Sequence, residues 1–303
     1  MTTVGSGKHT YEMHEQWARL PQGWEMPAAA VAVDKQDRVF CFNRSPHHPV
    51  VIFDRDGNFL SSWGEGMFTF PHAITFDGGG HVWLVDRNVG QVMKFTPEGK
   101  LLLTIGKRGY MSDTGNTVVS SDGYQNVTHP GEPFNLPAGI AVAPSGDIFI
   151  ADGYGNCRVH RFAPDGKLRF SWGQPGSGPG QFVLPHGVLI DRRGHVLVAD
   201  RQNDRVQVFN QDGKFLSIWP TEFIGPAVFA TDEDDTVYIA EHNGGYTSIV
   251  TRDGERLARW GGPVHRSAHG IAVDSQGDMY VVQPPERSEG GSRNRIVTKF
   301  VRR

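Results

Sequence analysis

The sequence predicts an all-β fold, a six-bladed β-propeller of repeated four-stranded units, on three observations. A unit of four short apolar runs recurs along the chain, the runs alternate with the period of a strand, and no 3.6-residue apolar pattern persists anywhere. The repeat is clearest where PAGIAVAPSGDIFIADGYGNCRVHRFAPDGKLRFSWG (137–173) aligns with PHGVLIDRRGHVLVADRQNDRVQVFNQDGKFLSIW (185–219).

Each element of the unit has its own signal. The first strand is an apolar run entered from Pro or Ala, and a Gly-containing turn follows it. A second apolar run ends in Ala-Asp, and a polar loop separates it from an alternating third segment carrying Arg-Val. A D-G turn, as in PDG or QDG, leads to a fourth strand ending near Trp. Further units begin at Pro27, Pro71, Pro226 and Ala268, which makes six at a spacing of about 41 to 48 residues apart from one insertion. Four-stranded units of this period are propeller blades. The sixth unit is one strand short, and YEMHEQWARL (11–20) stands ahead of the first unit, where it can supply that strand and leave no open edge between first and last blades. Residues 1–303 are accordingly expected to form a single domain.

The insertion, 107–136, reads KRGYMSDTGNTVVSSDGYQNVTHPGEPFNL and has no strong periodicity. A loop of this length in a compact domain is usually functional or disordered. It connects blades two and three on the face where the first strands begin, so it is expected to act as a lid, with Tyr110, Tyr124 and His129 bordering the site beneath.

Composition narrows the function classes. Of 303 residues, 30 are Lys or Arg and 33 are Asp or Glu, a net charge of −3 that gives no basic footprint for nucleic acid or an anionic membrane. Two cysteines, Cys41 and Cys157, provide no disulfide framework and fit a reducing compartment. The N-terminal MTTVGSGKHTYEMHEQW has no apolar h-region, and no run of about 18 apolar residues occurs, so the expected location is cytoplasmic. The expected partner is a small-molecule substrate; nothing in the sequence sets the oligomeric state.

The chemistry lies in the phase of the repeat. The second residues of the six units are Ala28, His72, Ala138, His186, Ala227 and His269, so alanine and histidine alternate. Alternate members of a six-blade ring lie about 120° apart, and three imidazoles at equal height would converge on the axis. That is a facial three-histidine set with open positions, as a catalytic zinc uses, and nickel, cobalt or ferrous iron would also suit imidazole. Taken singly, a histidine at a strand entry most often just bonds a neighbouring carbonyl. The linear spacing matches no short metal motif, so the in-register alternation carries the signal. The loops after the second strands open on the same face and present Arg44 in FNRSPHHP, Arg87 in VDRNVG, Tyr154 in ADGYGN, Arg201 in ADRQND and His242 in AEHNGG. Arg44, Arg87, Arg201 and His242 are candidates for substrate binding. Asp86, Asp152 and Asp200 are better read as caps on the loop backbone, and Arg158 and Arg205 as architectural.

These residues, above all FNLPAGIAVAPSGDIFIADGYGNCRV and GPGQFVLPHGVLIDRRGHVLVADRQNDRVQVF, resemble the NHL repeat and, within it, the peptidyl-α-hydroxyglycine α-amidating lyases. The resemblance implies a six-bladed propeller with one divalent transition metal, zinc in that family, on His72, His186 and His269. It implies catalytic roles for Tyr154, Arg44 and Arg201. The implied reaction converts an N-acyl-α-hydroxyglycine to a primary amide and glyoxylate: the phenol takes the hydroxyl proton, the C–N bond breaks as the carbonyl forms, and the arginines grip the carboxylate. Two positions depart from the pattern. Gly155 stands where animal members carry a bridging cysteine, and Gly270 stands where they carry an acid for a structural calcium, which removes that calcium ligand. Three readings stand at this point: an amidating-lyase-like carbon–nitrogen lyase, another metalloenzyme such as a hydrolase or different lyase on the same three histidines, and a non-catalytic NHL binding scaffold.

Overall fold

The first hairpin of five repeats closes on an aspartate. Asp34, Asp77, Asp191, Asp232 and Asp274 each follow a first strand, and the Oδ1 of each accepts main-chain N–H groups two and four residues further on. An aspartate does this readily because its short side chain reaches its own backbone and mimics a turn. The third repeat has Ala143 at this position and keeps the main-chain bonds, from Ala143 N–H to Asp147 and from Gly146 N–H to Ala143, that the other five also make.

Strands leave these turns with apolar residues on both faces. The second strands Val39–Asn43, Val82–Asp86, Ile148–Asp152, Val196–Asp200 and Val237–Glu241 are buried throughout, as strands covered on both sides must be. The fourth strands, such as Leu168–Trp172 and Phe215–Ile218, are largely exposed.

The computed structural model describes residues 2–262, 268–283 and 295–303. Among these, five sheets have four strands in sequence order, for example Pro185–Ile190, Val196–Asp200, Arg205–Phe209 and Phe215–Ile218, with every named pair antiparallel. This is the six-bladed β-propeller arrangement, with the sixth sheet built from both ends of the chain. In that sheet Gly270–Val273, Met279–Gln283 and Ile296–Arg302 are joined by His9–His14, which pairs Tyr11 with Arg302 and His14 with Lys299. The N-terminal strand thus lies at 9–14 rather than along 11–20, and Trp17 turns inward to donate from Nε1 to the Arg55 carbonyl. A further strand, Thr2–Ser6, pairs outside it. Residues 284–294, which follow the second strand of the sixth repeat, lie outside the described residues.

The chain divides into two compact units. One comprises 1–71 and 227–303, with apolar clusters around Trp17, Phe53 and Tyr280 and around Tyr11, Tyr238 and Phe300. The other, His72–Pro226, centres on Phe149, Phe182 and Phe209 and on Trp83, Phe134 and Phe162. No helix among the described residues is long and apolar enough to cross a membrane.

Asp77 shows how much one turn carboxylate carries. Burial opposes its charge, but bonds from the His81 N–H, the Lys94 ammonium (2.9 Å) and Trp83 Nε1 (3.1 Å) outweigh that and hold its carboxyl well below the usual carboxylate range. A depressed folded pKa means that the stabilisation is present above the unfolded value of about 4 and is lost as pH falls toward the folded one. Chemical denaturation from neutral pH down to about pH 2 should therefore show Asp77→Asn less stable at neutral pH and with a shallower acid limb than the native chain.

Candidate functional site

The His72–Pro226 unit contributes two histidines at the starts of adjacent-phase strands. His72 is the second residue of Pro71–Phe76 and His186 the second of Pro185–Ile190, and each is about 1% exposed. An imidazole buried so deeply must satisfy its N–H within the protein. His72 Nδ1–H donates to the carbonyl of Ala138 at 2.7 Å, so its Nε2 is left as a lone pair. That Nε2 lies 3.3 Å from the Tyr154 hydroxyl, and His186 Nε2 lies 3.1 Å from the same oxygen.

Tyr154 sits in the loop between Ile148–Asp152 and Arg158–Phe162 and is 4% exposed. Its oxygen also receives a hydrogen bond from Arg201 Nη1 at 3.0 Å. Two cations flank its ring: the Arg87 guanidinium carbon lies 4.5 Å and that of Arg201 5.2 Å from the ring centroid. Arg201 is buried, and its Nε has no hydrogen-bond partner among the described residues. A buried guanidinium N–H left open beside a phenol is a donor available to an anionic ligand. Arg87 is bound to Asn88 Oδ1 (3.0 Å) and Ser121 Oγ (3.3 Å), and burial, partly countered by Tyr154, draws its guanidinium below the usual arginine range.

The loop is braced from below. Asp152 accepts from the Asn135 N–H, from Asn156 Nδ2 and from His160 Nε2, and His160 in turn bonds Ser171 Oγ at 2.7 Å. Asp200 caps the next loop through the N–H groups of Val183 and Leu184 and through Asn203 and Arg205. Arg205 continues to the carbonyls of Ser177, Gly178 and Gln181. These are architectural contacts, as the repeat suggests. Gly153 is required by a close approach, because a Cβ there would lie 2.2 Å from the Pro185 carbonyl oxygen.

The other unit repeats the imidazole arrangement. His269 is 2% exposed and precedes Gly270–Val273, and its Nδ1–H donates to the Ala29 carbonyl at 2.8 Å. His242 donates from Nδ1 to the Ala268 carbonyl at 3.3 Å and meets the His269 ring edge-on with centroids 5.7 Å apart. Arg44 lies with its guanidinium 3.9 Å over the Phe70 ring, and its Nε is 3.5 Å from the Pro71 carbonyl. The space that a side chain at 270 would fill is taken by Val282 and the backbone of Ala30 and Val31. His269 is thus a third buried imidazole at a strand entry, the donor type that suits a divalent transition metal.

Of the segment 107–136, sequence reasoning named Tyr124 but missed Ser121, Thr114, Asn116 and Asn135. Ser121 bonds Arg87, Tyr124 accepts a 2.7 Å hydrogen bond from Gln202 Nε2, and Thr114, Asn116 and Asn135 surround Gly155. Tyr110 is 43% exposed and His129 pairs with Asp113. Single polar residues in an aperiodic stretch carry no pattern that could have marked them.

The NHL repeat model matches residues 134–162 and 182–209, which contain Tyr154, His186 and Arg201. NHL repeat-containing protein 3 of Homo sapiens is 31% identical over 258 residues, covering 80% of this chain and 70% of that protein. Peptidyl-alpha-hydroxyglycine alpha-amidating lyase 1 of Drosophila melanogaster is 34% identical over 187 residues, covering 57% of this chain and 31% of that one. The chain thus spans under a third of that lyase. A streptogramin B lyase structure superposes with a TM-score of 0.63 over 96% of this chain and 97% of the other at 12% identity, a likeness of fold.

Gly153→Ala forces a methyl into the Pro185 backbone. It should lower stability by about 1–3 kcal/mol, read as a fall of several degrees in the thermal midpoint, whereas an alanine accommodated without loss would contradict the close approach.

Proposed function

The chain belongs to the NHL-repeat family, and from that premise we propose that it is a metal-dependent lyase. It cleaves the C–N bond of an N-acyl-α-hydroxyglycine-like carbinolamide to give an amide and glyoxylate or a related α-oxo acid. The observation that carries this reading is the Tyr154 hydroxyl, held 3.1–3.3 Å from two imidazole Nε2 atoms and 3.0 Å from an arginine. The likeness to a named amidating lyase supports the same chemistry.

His72, His186 and His269 would hold one divalent transition metal, zinc by the preference of an open three-imidazole set. Bound there, the ion supplies a Lewis acid that polarises the substrate's hydroxyl or carboxylate oxygen. The protein's own groups do the rest. Arg201, with its open Nε–H, and Arg44 grip the carboxylate, for which a planar guanidinium gives two parallel hydrogen bonds that lysine lacks. Arg87 and His242 bind the remaining polar atoms of the substrate. Tyr154, as the phenolate that the cations flanking its ring favour, accepts the proton of the α-hydroxyl. The C–O bond becomes a carbonyl as the C–N bond breaks, and the same proton passes from Tyr154 to the departing amide nitrogen. The step is therefore balanced without an external acid or base.

No calcium is assigned beside His269, because Gly270 has neither a ligand atom nor room for one. Cys41 and Cys157 are both free and buried, and burial pushes the Cys157 thiol up to about 12, which fits a protein kept in a reducing, cytoplasmic setting.

With α-hydroxyhippurate as substrate, metal-loaded protein should release benzamide and glyoxylate, and a chelator should abolish turnover. Fully metallated protein that leaves the compound intact would sink the reaction assignment. His186→Ala should lower the bound metal measured by elemental analysis. Tyr154→Phe should keep the metal and lose about 10²–10⁴-fold in turnover, the contribution expected of a positioned acid–base group. A protein that binds no metal and is indifferent to His186→Ala would instead be a binding scaffold.

A further inference from the structure

Tyr154 and Gly155 are held by the segment 107–136, and one residue, Asn135, links 112–116 through its side chain to the loop 152–156 through its main chain. Asn135 is fully buried. Its Nδ2 donates to the carbonyls of Ser112 (2.9 Å) and Asn116 (3.0 Å) and to Thr114 Oγ1 (3.1 Å), and its Oδ1 accepts from Asn116 Nδ2 (3.3 Å). Its main chain is equally engaged: the N–H donates to Asp152 at 2.9 Å and the carbonyl accepts the Gly155 N–H at 3.0 Å. Next to it, the Leu136 carbonyl accepts the Tyr154 N–H at 3.3 Å, and Thr114 Oγ1 donates to the Gly155 carbonyl at 2.6 Å. A Cβ at 155 would lie 2.1 Å from Asn135 Oδ1, so glycine is what admits the amide here.

We infer that Asn135 is a positioning residue that sets the Tyr154 phenol against the imidazoles by locking the loop 152–156 to the segment 112–116. This rests on the reading of Tyr154 as the acid–base group. The physical reason is leverage. The Tyr154 main chain is anchored on the Leu136 carbonyl, next to Asn135, and its neighbour Gly155 is held by Asn135 and Thr114. A reacting group displaced by about 1 Å loses on the order of 10²-fold in rate. The same segment brings Ser121 to Arg87 and Tyr124 to Gln202.

The test is a double-mutant cycle. Asn135→Ala and Thr114→Val are each made alone and with Tyr154→Phe, and turnover of α-hydroxyhippurate and metal content are measured. In the native background Asn135→Ala should lower kcat by at least about tenfold with KM and bound metal little changed, and in the Tyr154→Phe background the same substitution should change kcat by less than about twofold. Equal losses in both backgrounds overturn the proposal, because a merely structural residue would act without the phenol. Amide hydrogen exchange gives a readout that needs no turnover. Exchange over 112–116 and 152–156 should accelerate together by about tenfold or more while the rest of the chain keeps its protection. Acceleration everywhere, or at only one of the two stretches, overturns the coupling. Should Asn135→Ala not fold, Thr114→Val removes the bond to Gly155 together with those from Asn135 Nδ2 and the Asn116 N–H, and so loosens the same link between 112–116 and 152–156 for both readouts. If the native protein does not turn over the carbinolamide, the proposed reaction falls, and the exchange result still decides the coupling.

Discussion

A buried imidazole can offer a lone pair to a ligand only if its other nitrogen is satisfied, and here the main chain satisfies it. His72 gives its Nδ1–H to Ala138 and His269 gives its own to Ala29. Each bond sets the tautomer, orients the ring and makes the opposite nitrogen a better donor. Ala138 is the second residue of its repeat, so the positions that alternate with the histidines are not merely vacant of imidazole: one of them provides the carbonyl that aims its neighbour.

Around Tyr154 the same economy holds. The phenol is offered to two imidazoles and an arginine on one side, and the loop behind it is stiffened by an acid, Asp152, that accepts from a main-chain N–H, an amide and a histidine. Each polar group buried in this loop is therefore costly to disturb, since a lost partner leaves the other unsatisfied in a poorly solvated place. The line from Ser171 through His160 to Asp152 has the residue types of a nucleophilic triad, but Ser171 lies within the strand Leu168–Trp172 and the line ends on the carboxylate that braces the Tyr154 loop. Its place in the fold makes it support for that loop.

The segment 107–136 gains its order in a different way from the sheets. It lacks an alternating apolar pattern and contains one short helical turn, Gly123–Asn126. Its asparagines, threonines and serines bond backbone groups instead, as Asn116 does with Val118 and Thr114 with Gly155. Side chains of this kind compete with regular structure by offering the backbone local partners. The segment is thus aperiodic and yet closely bound to the loop that carries Tyr154.

The repeat made the blades, the all-β class and the second-residue histidines legible, because strand alternation and repeat phase are properties of residue order. The loop residues Arg87, Tyr154 and Arg201 could be singled out for the same reason, each standing just after a recurring Val-Asp or Ala-Asp. The carbonyl that receives His72 Nδ1 lies 66 residues away and the one that receives His269 Nδ1 lies 240 away. Nothing local marks such pairs, nor the amide of Asn135 that fills the space beside Gly155. Sequence order by itself determined which side chains stand at the strand entries and loops. Only the tertiary structure decided which carbonyl receives each imidazole N–H and which peptide holds the phenol, because hydrogen bonds depend on distance and direction between segments that the chain order leaves apart.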